Sequence, residues 1–290
     1  MSVWKGLMEG ALSKLIYELI VKPFVPILLS SLLAVITIFL KRYAGFFTNV
    51  SEITIAISIA SLSIIPYIIY RTYLFGKKRY QLISNSGLFY FDRNVASEDK
   101  LKNEEFLKTQ VKKAKNIEII GATGYNTFAR EDIHGKAVLR DEFEKATGEI
   151  KVLLLNPNSL QTKMRANALG VPLDNYQIEI ANSIRYLREL KNKGKNVALK
   201  LYDQRPIWKM IIADDFLWLQ YYDPRKRVQQ TPVYGIRRDT GEGNYSLFDP
   251  LYAVFQKRWM HDRNPIYDFD TSNLVCHDGK REALELNFIK

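Results

Sequence analysis

The chain has 290 residues and carries 42 lysines and arginines against 31 aspartates and glutamates, a formal charge of +11 that argues against cationic partners and for anionic ones. Lipid head groups and nucleotides or nucleic acid both satisfy that charge, and charge alone does not choose between them. The one cysteine, Cys276, excludes an internal disulfide and agrees with a reducing compartment.

In chain order, Trp4, Leu7, Met8, Ala11, Leu15 and Leu19 recur at helical spacing with Lys5, Glu9, Lys14 and Glu18 opposite, which predicts an amphipathic helix over residues 1–22. Pro23 and Pro26 end it. Residues Pro23 to Leu40 and Ile53 to Tyr70 are two charge-free stretches of 18 residues, each about 27 Å long as a helix, so a two-helix transmembrane hairpin is expected within 23–76. A pair of buried core helices is the alternative. Lys5, Lys14, Lys22, Arg71, Lys77, Lys78 and Arg79 flank the spans on one side and only Lys41 and Arg42 lie between them, which puts both termini in the cytoplasm of a multi-pass protein of the bacterial inner membrane. Ser51, Thr54, Ser58 and Ser61 share one helix face, either lining a pore or packing against a neighbouring helix. Two helices cannot enclose a pore alone, so a channel needs a homo-oligomer such as a tetramer.

Residues 77–290 hold 36 basic and 28 acidic residues, a charge of about +8. Gln81 to Phe91 reads as a hairpin turning at Asn85-Ser86-Gly87. Helical patterns at Glu98 to Ala114, Glu131 to Ala146 and Tyr176 to Lys193 alternate with strand patterns at Ile117 to Ile120, Ile150 to Leu155 and Val197 to Tyr202. Strands at Trp208 to Ala213 and Phe216 to Tyr221 and a helix at Pro250 to Met260 follow. This alternation predicts an α/β domain with a mixed sheet covered on both faces.

From Asn116 to Trp259 the segments Ile117-Glu118-Ile119-Ile120-Gly121, Val152 to Pro157, Lys200-Leu201-Tyr202-Asp203 and Lys209 to Asp214 resemble, in that order, phospholipase D-like domains. Active members carry H-x-K-x4-D on the last of these strands. Here the matching residues are Ile207, Lys209 and Asp214, and an isoleucine cannot form a phosphoenzyme, so the resemblance implies a branch that binds rather than cuts. A literal H-x-K-x4-D at His134, Lys136 and Asp141 lies in a stretch that patterns as helix, the wrong context for the motif. His261, Cys276 and His277 lack the spacing of a zinc site, and no cofactor is expected.

The ligand-binding candidates are Arg205, Trp208 and Lys209 around the former catalytic strand, and Tyr221, Tyr222, Arg225, Lys226 and Arg227 after the next one. Aromatics interleaved with cations suit stacked bases and phosphates. Tyr125, Asn126 and Asn156 belong at neighbouring strand ends, where open α/β sheets bind ligands, and Gly121 to Gly124 leave a strand where backbone amides can meet a phosphate. Core packing for Trp208 and Tyr221, and a solvated loop for Arg225 to Arg227, remain the plain alternatives.

A membrane segment joined to an inactive phospholipase D-like domain is similar to the membrane effectors of bacterial antiphage defence, ion-channel effectors of the Hailong type among them. That resemblance implies an oligomeric channel gated by a single-stranded DNA oligomer or nucleotide signal from a partner nucleotidyltransferase. A membrane-bound phosphodiesterase using His134, or a non-conducting adaptor on membrane lipid, are the alternatives.

Overall fold

In the computed structural model, residues 85–94, 96–133, 135–238 and 246–284 are described, with shorter pieces at 32, 35–43, 51, 53–54, 68, 71–77 and 83. The chain divides into two compact units, Met1–Gln81 and Leu82–Lys290.

The first unit corrects the expected membrane architecture. Among the described residues no helix is long and apolar enough to cross a membrane. The transmembrane hairpin, and the multi-pass inner-membrane placement that depended on it, are therefore not upheld. Most of 23–40 and 53–70, all of 1–22, and Ser58 and Ser61 lie outside the described residues. Ser51 and Thr54 are described: the Ser51 hydroxyl lies 2.7 Å from that of Thr54 and accepts from its N–H at 3.1 Å, a local cap.

The second unit is a mixed α/β domain. Its elements are β1 (Leu88–Asp92), α1 (Ser97–Val111), β2 (Ile117–Ile120), a π-helical turn (Tyr125–Ala129), a small hairpin of β3 (Glu131–Asp132) and β4 (Gly135–Lys136), and α2 (Arg140–Lys145). There follow β5 (Glu149–Leu155), α3 (Leu160–Ala168), α4 (Leu173–Asn192), β6 (Asn196–Tyr202), β7 (Trp208–Ala213), β8 (Phe216–Tyr221) and β9 (Val233–Arg237). The last elements are α5 (Phe248–Trp259), β10 (Ile266–Asp268), β11 (Asn273–Val275) and β12 (Arg281–Ala283).

Ten strands form one sheet in the order β1-β9-β8-β7-β2-β5-β6-β10-β11-β12. Only β2, β5 and β6 run parallel, joined by helical crossovers, and the other pairs are antiparallel. The central strands are apolar on both sides, with Ile117, Ile119, Ile120, Val152 to Leu155, Leu199, Leu201, Ile211 and Leu217 all buried, as a sheet covered on two faces requires. Period-two alternation assigns the faces. Glu118, opposite Ile212, meets Tyr252 of α5, whereas Lys209 points to the other face beneath α1 and α4.

Two local expectations change. The helix expected over 131–146 is a β3–β4 hairpin and the short α2, because Gly135, at φ +120°, breaks the helical run. The hairpin expected over 81–91 is absent: Ile83 and Asn85 are helical, and β1 pairs instead with β9, Leu88 opposite Ile236.

Candidate phosphate-binding cavity

The register of β2 against β7 builds the site. Ile120 lies opposite Met210, so the start of β7 and the end of β8 stand beside the loop leaving β2, at the carboxyl ends of the parallel strands. Lys209 pairs across with Gln220 and projects beneath α1. It is 8% exposed, and among the described residues no carboxylate lies within ion-pair distance of its Nζ. Burial pulls its pKa from 10.5 down to about 8, with Glu104 on α1 pushing the other way.

Lys209 faces two adjoining cavities. The wider, about 330 Å³, is lined by Lys100, Asn103 and Glu104 of α1, by Arg130, Lys136, Trp218, Gln220 and Arg227, and by Gln229 and Gln230. The narrower, about 50 Å³, runs under the β2 loop between Gly121 to Gly124, Tyr176 and Glu179 of α4, Arg165, Tyr222 and Val228. Asn126, Thr127, Lys209, Arg227 and Gln229 line both. Five cationic side chains thus meet Glu104 in the wider cavity, although Lys136 is also paired with Asp141.

Hydrogen bonds hold the walls in place. The Ala122 N–H donates to Tyr222 Oη at 2.7 Å, and Tyr202 Oη donates to the Gly121 carbonyl at 3.0 Å. Arg165, buried over the Tyr222 ring, donates to the carbonyls of Asp223 and of Lys226, the latter at 2.8 Å, and so fixes the loop that carries Arg227. Its Nε is buried without a partner. Beneath the wider cavity, Tyr90 Oη donates to Asn103 Oδ1, and Asn103 Nδ2 donates to Asn94 Oδ1 at 3.1 Å. Asn94 Nδ2 donates to the Gln229 carbonyl at 2.7 Å. Gln220 links Trp218 Nε1, at 3.2 Å, to the Val228 carbonyl, at 2.9 Å. These amides are engaged with the protein, which leaves the cations as the groups that face a ligand. Glu179, whose pKa burial raises, receives Thr123 and stands near Arg227.

Of the residues singled out from the sequence, Asn126, Lys209, Tyr222 and Arg227 come together around the cavities. Tyr125 flanks them and donates to Asp132 Oδ2 at 3.0 Å. Asn156 closes a turn, accepting from the Asn158 N–H at 3.0 Å. Trp208 and Tyr221 pack edge to face, centroids 5.4 Å apart, and pair with each other one residue out of phase with Lys209, on the opposite sheet face. Arg205, Arg225 and Lys226 are exposed and line neither cavity. Ile207 is 43% exposed at the position where the resemblance would place a nucleophile. Asp214 sits at the far end of β7, accepting from the backbone N–H groups of Lys115, at 2.8 Å, and Asn116, at 3.1 Å. In the second motif Lys136 and Asp141 form an exposed ion pair, and His134 lies outside the described residues. Lys100, Glu104, Arg130, Arg165 and Glu179 were not singled out from the sequence. Only their basic or acidic character on otherwise amphipathic segments could have marked them.

No protein-family model matches the chain, and no curated protein sequence matches it. Among solved structures it is similar to TrmBL2, an archaeal chromatin protein with a novel mode of DNA binding, at 13% identity over 70% of this chain and 67% of that one, with a TM-score of 0.33. A likeness that slight has no bearing on what this chain does.

Proposed function

We propose that the second unit binds a phosphorylated ligand, a nucleotide or a short single-stranded nucleic acid, in the cavity around Lys209. The observation that carries this reading is Lys209 itself: a buried ammonium without an ion-pair partner among the described residues faces a cavity of about 330 Å³ whose other charged groups are mostly cationic. A buried charge is costly unless something neutralises it, and an anion entering the cavity does so. The size falls within the ~300–1,000 Å³ usual for small-molecule sites. With Ile207 where a nucleophile would stand, the arrangement favours binding over phosphodiester cleavage. A defence-effector role, in which a partner nucleotidyltransferase supplies the signal, is compatible with such a module.

Isothermal titration of the full chain with pyrophosphate and with ATP tests the reading. A charge-assisted hydrogen bond of about 1.5–3 kcal/mol corresponds to about 10- to 150-fold in affinity. Lys209→Met is expected to weaken binding by that factor. Equal affinity in the variant, or no binding by the unaltered chain, would refute the assignment.

A further inference from the structure

The two cavities differ in a way that bears on the ligand's shape. The wider opens past exposed side chains, Lys136, Arg227 and Gln230. Much of the narrower's wall is buried, with Ile119, Ala122, Tyr176 and Tyr222 at 6% exposure or less and Arg165, Lys209 and Val228 at 7–8%, while Thr123, Leu169, Val171 and Glu179 are half-buried. It is a recess that joins the wider cavity at Asn126, Thr127, Lys209, Arg227 and Gln229, the residues that both share. At about 50 Å³ it has room for a phosphate group and none for a nucleobase. Trp218, the aromatic that lines the wider cavity, is 3% exposed and stacks on Tyr90, so it offers no free face to a base.

We infer that the recess takes a terminal phosphate, so that the ligand enters end-on by a phosphomonoester or polyphosphate end and not by an internal phosphodiester. A diester carries ester groups on two sides, and a recess of about 50 Å³ that holds the phosphate leaves both to be accommodated outside it, against one for a terminal phosphate. A terminal phosphate also carries a charge of about −1.5 to −2 near neutral pH, against about −1 for a diester, and Arg165, Lys209 and Arg227 set against Glu179 in the recess lining match the larger value. This inference rests on the proposed ligand site and specifies which part of the ligand fills it.

Gly121 provides the test. A Cβ at this position would meet only Tyr222 Oη, at 3.6 Å, an ordinary contact. Gly121 lies in the recess wall with backbone that any residue adopts, so a Cβ is accommodated there and Gly121→Val adds bulk to that wall.

The probes are three oligothymidylates of equal length, bearing a 5′-phosphate, a 3′-phosphate or neither, measured by competition against a fluorescent strand on the full chain. A terminal phosphate is expected to tighten binding by at least about tenfold, and Gly121→Val is expected to abolish that gain while the unphosphorylated strand still binds. Thermal melting of Gly121→Val within a few degrees of the unaltered chain confirms that it folds. Equal affinity for all three strands would overturn end-on entry and leave the ligand site standing. A gain that persists in folded Gly121→Val would also overturn it, since the phosphate would then sit elsewhere. If no strand binds and pyrophosphate does not bind either, the ligand site itself fails and the inference falls with it.

Discussion

Lys209 should weaken the fold that it serves. In the unfolded chain its ammonium releases a proton near 10.5, and in the folded chain near 8. At about 1.4 kcal/mol per pH unit this gap corresponds to about 3 kcal/mol of destabilisation, an upper figure because water can reach the cavity. The sign follows from proton binding. Between pH 8 and 10.5 the unfolded chain holds more protons, so stability rises with pH across that window, and below pH 8 the whole penalty is present. Lys209→Met shortens the side chain by one heavy atom and removes the charge, so at pH 7 the variant is expected to be more stable by about 2–3 kcal/mol. The difference should shrink towards zero by pH 10.5. Urea denaturation of the full chain, read by tryptophan fluorescence at pH 7, 8.5 and 10 for both proteins, gives the comparison. A variant less stable at pH 7, or a difference that does not change with pH, refutes the reasoning.

Three further outcomes follow from the same geometry. Ligand affinity is expected to fall as pH rises past about 8, by up to about tenfold per unit, because the ligand must then recruit a proton to Lys209, and a titration series on Lys209→Met should be flat over that range. Arg165→Ala removes both bonds that hold the carbonyls of Asp223 and Lys226. It should speed hydrogen exchange over 223–231 and weaken pyrophosphate binding at least about tenfold, with unchanged exchange counting against Arg165 as the loop's anchor. Asn103→Ala strands buried partners on Tyr90 and Asn94. It should lower the urea-unfolding free energy by about 2–4 kcal/mol, and a loss under 1 kcal/mol would show that the network contributes little.

How far the sequence revealed this structure varied with the kind of signal. The strands Ile117–Ile120, Trp208–Ala213 and Phe216–Tyr221 have the bounds that their apolar runs suggest, and Asp214-Asp215 turns β7 into β8. The partner of β1 was not legible, because β9 is short, contains Gly235, and lies more than 140 residues away in sequence. Three short strands, β10 to β12, were missed because segments of three residues carry no periodicity. Charge-free stretches of spanning length implied a membrane hairpin, yet among the described residues no helix meets that requirement. At the candidate site, the resemblance marked Lys209, and the strand ends marked Asn126 and Arg227. Trp208 and Tyr221 looked equally apt in sequence, but a position one residue along a strand faces the other side of the sheet, and proximity in sequence cannot express that. Glu104, Arg165 and Glu179 reach the cavity from three different helices, so only the tertiary fold unites them with Lys209.

The most direct test of the central claim is an experimental structure of the full chain with pyrophosphate at saturating concentration. The expected result is phosphate density at the junction of the two cavities, within hydrogen-bond distance of Lys209 Nζ and beside Arg227. Phosphate confined to exposed lysines, with water alone beside Lys209, would contradict the claim that the buried lysine is there to receive an anion.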